Sequence, residues 1–187
     1  IMSWLQTWSG RRLDLIDPLP ESINILDISH GLANECRFAG QCRRYYSVAQ
    51  HSVIASQIVR NDLAMEALLH DAAEAYLKDI PTPLKALLPE YRALEERLSR
   101  VIRKCFGLPE DLAPEIKRPP DLQLLATERR DLMTFRRDSD WPCLDGVQPL
   151  DRTISAVGPQ AARQLFRDRF LQLALDDENP SRFGYLA

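Results

Sequence analysis

The sequence predicts an all-α fold, organised as a single domain over residues 1–187. Apolar residues recur at helical spacing in successive segments, prolines and glycines fall between those segments, and no convincing run of strands interrupts them. Residues 1–22 read as irregular, with Trp4 and Trp8, a Ser9-Gly10 turn signal, and Pro18 and Pro20. From Asn24 to about Asn34 the pattern is helical, with Ile25, Ile28, Leu32 and Ala33 as the core stripe. Residues 35–46 (ECRFAGQCRRYY) form a loop carrying Arg37, Arg43 and Arg44. Ser47 is placed to cap a helix running to about Arg60, and Asp62 to cap a second reaching about Leu77. The loop KDIPTPLK follows, where Pro81 and Pro83 oppose a regular helix. An amphipathic helix spans 89–106, ending at Gly107. A short helical stretch covers 111–117, and Pro119-Pro120 precede a helix from Asp121 to about Phe135. A long loop occupies 137–157, and a last helix, 159–177, begins at Pro159. The core is expected at about 24–135, with the C-terminal helix laid against it.

Composition narrows the function classes. Of 187 residues, 45% are hydrophobic and 27% charged, as in an ordinary globular domain. The formal net charge is -3, which argues against a nucleic-acid duplex as partner and leaves room for a small anionic ligand. Cys36, Cys42, Cys105 and Cys143 show no C-x-x-C pair, so no zinc ribbon or disulfide framework is expected. The N-terminus lacks a signal-peptide pattern, and no apolar run has the length of a membrane span. A cytoplasmic protein with reduced thiols is the expectation, and a symmetric homo-oligomer the base-rate one.

The segment 62–77 carries the functional signal. It is apolar nearly all round, as befits a core helix, yet it contains His70, Asp71 and Glu74. A buried carboxylate without a partner is costly, and a divalent cation removes that cost. On a helix His70 and Asp71 stand about 100° apart and converge on one ion, with Glu74 rising from the same face. His51 shares the inward stripe of its helix with Val48, Ser52, Ala55, Ile58 and Val59. Asp121 shares its face with Leu124, Leu125, Glu128 and Leu132, whereas Asp131 falls off it. Each residue has a bland reading: a packed histidine, or a helix-capping aspartate following Pro120. Their coincidence on three helices favours a metal site. His30 is read as a packing histidine, and the arginines by default as solvated surface.

These residues resemble the H…HD…D signature of the HD-domain phosphohydrolases. The run ALLHDAAEAYLKDIPTPLK (67–85) is similar to a segment of the bacterial 5'-deoxynucleotidases that reads LLHD, an acidic residue, then D-[LI]-P-T-P-x-K. YSVAQHS (46–52) resembles their first-histidine helix, and CRFAGQ (36–41) their arginine-aromatic segment, with Phe38 in place of the usual tryptophan. The stretch from Thr7 to Gly40 resembles phage HD proteins, including dATP triphosphohydrolases.

The resemblance, which covers about 7–135, implies an HD-domain helical bundle. It implies a divalent metal (Co, Mn, Zn, Fe, Ni or Mg) on His51, His70, Asp71 and Asp121. Glu74 and Asp79 would be the acid/base pair. Arg37, Phe38, Lys85 and Arg118 would hold a small-molecule nucleotide. The expected reaction is hydrolysis at the α-phosphorus, tilted towards a deoxynucleoside triphosphate, with a 5'-deoxynucleotidase and a non-catalytic nucleotide binder as alternatives. A phage-encoded member would work in the host cytoplasm.

Overall fold

Residues expected to be irregular at the N-terminus form a short antiparallel hairpin, β1 (Trp4–Gln6) and β2 (Arg12–Asp14), with Leu5 opposite Leu13. Strands of three residues are too short for an alternating pattern to declare itself. The Ser9-Gly10 turn signal sits at the hairpin tip, where Gly10 has φ +85°. Ser9 donates from both its backbone N–H and its hydroxyl to buried Asp27, fastening the tip to the first helix. The structure, a computed structural model, describes residues 3–117, 120–134 and 141–177. It is mainly helical.

Helix α1 (Ile25–Asn34) is capped by the Asn24 side chain accepting from the Leu26 N–H, and α2 (Val48–Ile58) by Ser47 accepting from Gln50. Helix α9 (Pro159–Leu175) starts with proline after Gly158, as its sequence predicts, and packs against both. Leu13, Ile28, Leu32, Leu68, Phe106, Phe166 and Phe170 fill the main core. Helix α2 is buried over most of its surface because α1, α9 and the helices at Ala64–Leu68 and Pro120–Leu132 all meet it.

The single helix expected from Asp62 to Leu77 is broken. A 3-10 turn (Asn61–Leu63) leads into α3 (Ala64–Leu68), a turn follows at 69–73, and α4 (Glu74–Leu77) resumes. The His70 Nδ1 donates to the Ala67 carbonyl at 2.6 Å, the acceptor that the Asp71 N–H would meet in a continuing helix. The backbone tightens to i→i+3 bonds, Ala72 to Leu69 and Glu74 to Asp71. His70 and Asp71 therefore project from a turn rather than a helix. Another expectation changes at KDIPTPLK. Thr82–Lys85 makes one helical turn, α5, because Pro83 occupies a first-turn position where no N–H is needed.

Helix α6 (Pro89–Cys105) ends at Gly107, φ +62°, as predicted. Its Arg103 bridges to Glu66 of α3 and to the carbonyls of Pro109, Glu110 and Asp111. Helices α7 (Pro114–Lys117) and α8 (Pro120–Leu132) follow. Arg118, expected at the substrate, and Phe135 lie outside the described residues. The described part of the expected 137–157 loop contains a 3-10 turn at Pro142–Leu144 and is tied down by side chains. Thr127 accepts from Leu150, Asp131 from Ile154, and Gln50 from Val157. No described helix is long and apolar enough to cross a membrane.

One glycine sets the spacing of the site. A Cβ on Gly31 of α1 would stand 2.5 Å from the Ala75 carbonyl oxygen and 2.8 Å from its Cβ. Only glycine lets α4, which carries Glu74, lie this close to α1.

Candidate metal centre

Two histidines and an aspartate converge. His51 comes from the buried middle of α2, and His70 and Asp71 from the turn between α3 and α4. One ligand atom from each lies within 4.8 Å of the others. Asp71 Oδ2 stands 3.1 Å from His70 Nε2 and 3.6 Å from His51 Nε2. Ligands bound at about 2.0–2.2 Å from one ion stand at most about 4.4 Å apart. The group therefore needs only small adjustment, and it could hold a metal ion.

The outer nitrogens show that these imidazoles are aimed. The His51 Nδ1 is 2.7 Å from Glu128 Oε1, and the His70 Nδ1 is 2.6 Å from the Ala67 carbonyl. Carboxylates and carbonyls only accept, so both Nδ1 atoms carry protons and both Nε2 atoms face the shared point. Orienting a metal-binding histidine through its second nitrogen is the usual support of such sites. Three protein ligands leave positions open for water and substrate.

Charge accounts for the titration of the group. Burial alone would raise the Asp71 carboxyl, but His70, His51 and Arg37 hold it well below the usual carboxylate range. Burial opposes charge on His70, yet Asp71 and, more weakly, Asp121 raise it to about 9. Metal-free, the pair is thus an imidazolium on a carboxylate, and a cation would take the place of that proton. Asp121, at the start of α8, is felt by His70 but stands outside the three-residue group.

The expected acid/base residues gather at the same place. Glu74 is buried, and its carboxyl is pushed up to about 10 by burial, then by Asp71 and Asp79, against the pull of Arg37 and Lys85. Its Oε2 has no hydrogen-bond partner. Asp79 is also raised, by burial first and by Asp71, while Arg37 draws it down. Lys85 Nζ is 3.6 Å from Glu74 and 2.6 Å from Glu95. Arg37 reaches both Asp71 (3.7 Å) and Glu128 (3.3 Å), and its guanidinium lies 5.2 Å from the Phe38 ring centroid. Arg43 and Arg44 stay exposed, and Arg43 donates to the Asp131 carbonyl. Asp131 pairs with Arg130 and accepts from the Ile154 N–H, and it is not one of the three grouped residues. His30 stacks on Trp8 at 5.2 Å, the packing role its sequence suggests.

Glu128 is the residue of the candidate site that the sequence alone underrated. It is fully buried, and Arg37 and His51 overcome its burial to keep its carboxyl low. Tyr46, also buried, is raised by burial and by Glu128. The signal was present in the inward stripe of 121, 124, 125, 128 and 132. The neighbouring charges Arg129, Arg130 and Asp131 masked it.

The chain is 44% identical over 174 residues, 92% of its own length and 97% of the relative's, to the uncharacterized protein YfdR of Escherichia coli (strain K12). It is 42% identical over 126 residues, 62% of its length and 64% of the relative's, to an uncharacterized protein of Rhodobacter capsulatus. No family model matches it.

Proposed function

We propose that this chain, which belongs to the family of Escherichia coli YfdR, is a metal-dependent phosphohydrolase of nucleotides. One observation carries the reading. Two Nε2 atoms, each oriented by an anchored Nδ1, meet the Asp71 carboxylate beside a buried glutamate whose Oε2 has no partner. A structural histidine cluster has no need to leave its second nitrogens and a neighbouring carboxylate oxygen facing one point.

His51, His70 and Asp71 would hold the ion, with Asp121 as the fourth ligand. Such an ion supplies a water of lowered pKa and a Lewis acid for a phosphoryl oxygen. A cation beside Glu74 would oppose the burial and the Asp71 charge that raise its carboxyl, and Glu74 would then accept the proton of the attacking water. The water oxygen bonds to the α-phosphorus as the bond to the leaving oxygen breaks. Asp79, its carboxyl raised by burial and by Asp71, would return a proton to the leaving side. Arg37 and Lys85 offset phosphoryl charge. The favoured substrate is a deoxynucleoside triphosphate, giving deoxynucleoside and triphosphate.

The test is direct. Purified protein with Mn or Co is incubated with each dNMP and dNTP, and products are resolved by ion exchange. Triphosphate release is expected; orthophosphate from dNMP would assign the 5'-nucleotidase reaction instead. No product from any nucleotide would refute the proposal. Asp71→Ala should lose both bound metal and turnover.

A further inference from the structure

An open cleft of ≈ 970 Å³ is lined in part by Trp141, the ring that Phe38 meets edge-on. Helix α8 and the segment 141–149 line it, with Ala126, Arg129, Trp141, Leu144 and Val147 among the contributors. The chemistry described above makes no use of it. Short contacts connect it to the metal centre. Arg37 stands 3.7 Å from Asp71, its guanidinium 5.2 Å from the Phe38 ring, and that ring 6.3 Å edge-on from Trp141. Phe38 is held there at a cost. It and Ala39 adopt left-handed backbone conformations, φ 56° and 50°, ahead of Gly40 at 76°. Left-handed helical backbone is disfavoured for an L-residue. The Arg37 N–H to the Tyr46 carbonyl and the Gln41 N–H to the Phe38 carbonyl fix the turn.

The lining suits a flat ring better than a second phosphate. Arg130 is committed to Asp131 and to the Leu150 and Arg152 carbonyls. The Arg129 guanidinium lies 5.8 Å from the Trp141 ring centroid, and Asp145 adds negative charge to the wall. Aromatic faces beside a guanidinium are the usual platform for a nucleobase, since every base offers a π-face. The geometry points to this cleft as the base subsite: the phosphate sits at the metal centre, and the base passes Phe38 to stack against Trp141. The inference rests on the nucleotide reading of the metal centre. Because stacking tolerates all bases, Trp141 contributes affinity with only modest base preference.

Two readouts test it. The first compares kcat/KM for the best nucleotide with that for deoxyribose 5-phosphate, which has no base. Trp141→Ala should lower the ratio of the two roughly tenfold, as expected for one lost stack, and Trp141→Phe should restore most of it. An unchanged ratio, whether both substrates suffer alike or neither does, overturns the proposal. The second readout is tryptophan fluorescence of the Zn-loaded protein, which needs no turnover. Nucleotide should quench it, deoxyribose 5-phosphate should not, and Trp141→Phe should abolish the difference. Quenching that depends on Trp141 without hydrolysis of either ester would keep the base subsite and remove the hydrolase reading. Hydrolysis with quenching independent of Trp141 would do the reverse.

Discussion

Glu128→Ala would remove the group that holds two parts of the candidate centre at once. Its Oε1 accepts the His51 Nδ1–H at 2.7 Å, and its Oε2 faces Arg37 at 3.3 Å, with the side chain fully buried. Truncation leaves Arg37 with Asp71, 3.7 Å away, as its nearest remaining partner in that network, and leaves the His51 Nδ1–H unpaired. Breaking a buried charge pair from one side costs about 3–5 kcal/mol. For a domain of this length each kcal/mol is about 2–4 °C, so Tm should fall by about 6–20 °C. Loss of the histidine's outer partner should weaken metal binding about 10- to 100-fold. Glu128→Gln keeps the acceptor for His51 and loses only the charge. It should retain most of the metal affinity while still losing stability through Arg37. Thermal unfolding with EDTA isolates the stability change, and calorimetric titration with Zn or Mn gives the affinity. A folded Glu128→Ala protein that binds metal as tightly as the parent would refute the orienting role. So would equal affinity loss in the Gln and Ala variants, since the retained hydrogen bond would then count for nothing.

Asp121→Ala should weaken metal binding and Asp131→Ala should leave it intact, by the same titration; the reverse order would move the fourth ligand to Asp131. In the EDTA-treated protein, stability should fall as pH rises. His70 is raised from 6.5 to about 9, so its contribution is complete below pH 6.5 and gone above pH 9. Glu74, raised from 4.5 to about 10, acts in the same direction. The His70 share is at most about 3 kcal/mol. Tm measured from pH 6.5 to 9 should drop without metal and stay flatter with it; parallel curves would sink the argument. Gly31→Ala should cost about 1–3 kcal/mol, because the new Cβ meets Ala75 backbone only 2.5 Å away. It should also lower kcat by displacing Glu74. A variant with parental Tm and kcat would show that α1 and α4 can separate freely.

Helical periodicity located His51 on a buried face, and it located α1, α2, α6, α8 and α9 within a few residues. It succeeded there because each of those segments repeats its apolar stripe several times. It failed where side chains compete with the backbone. The run 62–77 has the composition of one core helix, and the residue that breaks it is its most informative one. The His70 imidazole bonds the Ala67 carbonyl, and that bond both disturbs the helix and fixes which nitrogen faces Asp71. Propensity alone treats histidine as a mediocre helix former and says nothing of such a bond. The hairpin was hidden for a different reason, since Leu5 and Leu13 are its central apolar pair and a single pair has no period. Glu128 was legible in phase but not in role. Its partners His51 and Arg37 are 77 and 91 residues away in the chain. Local pattern could say that this carboxylate points inward; only the fold could say that a histidine and an arginine wait there. The features that make the centre chemically suggestive, anchored Nδ1 atoms and a buried carboxylate shared between a histidine and an arginine, are tertiary facts. They turn the HD dipeptide, weak as a sequence signal, into a candidate metal centre.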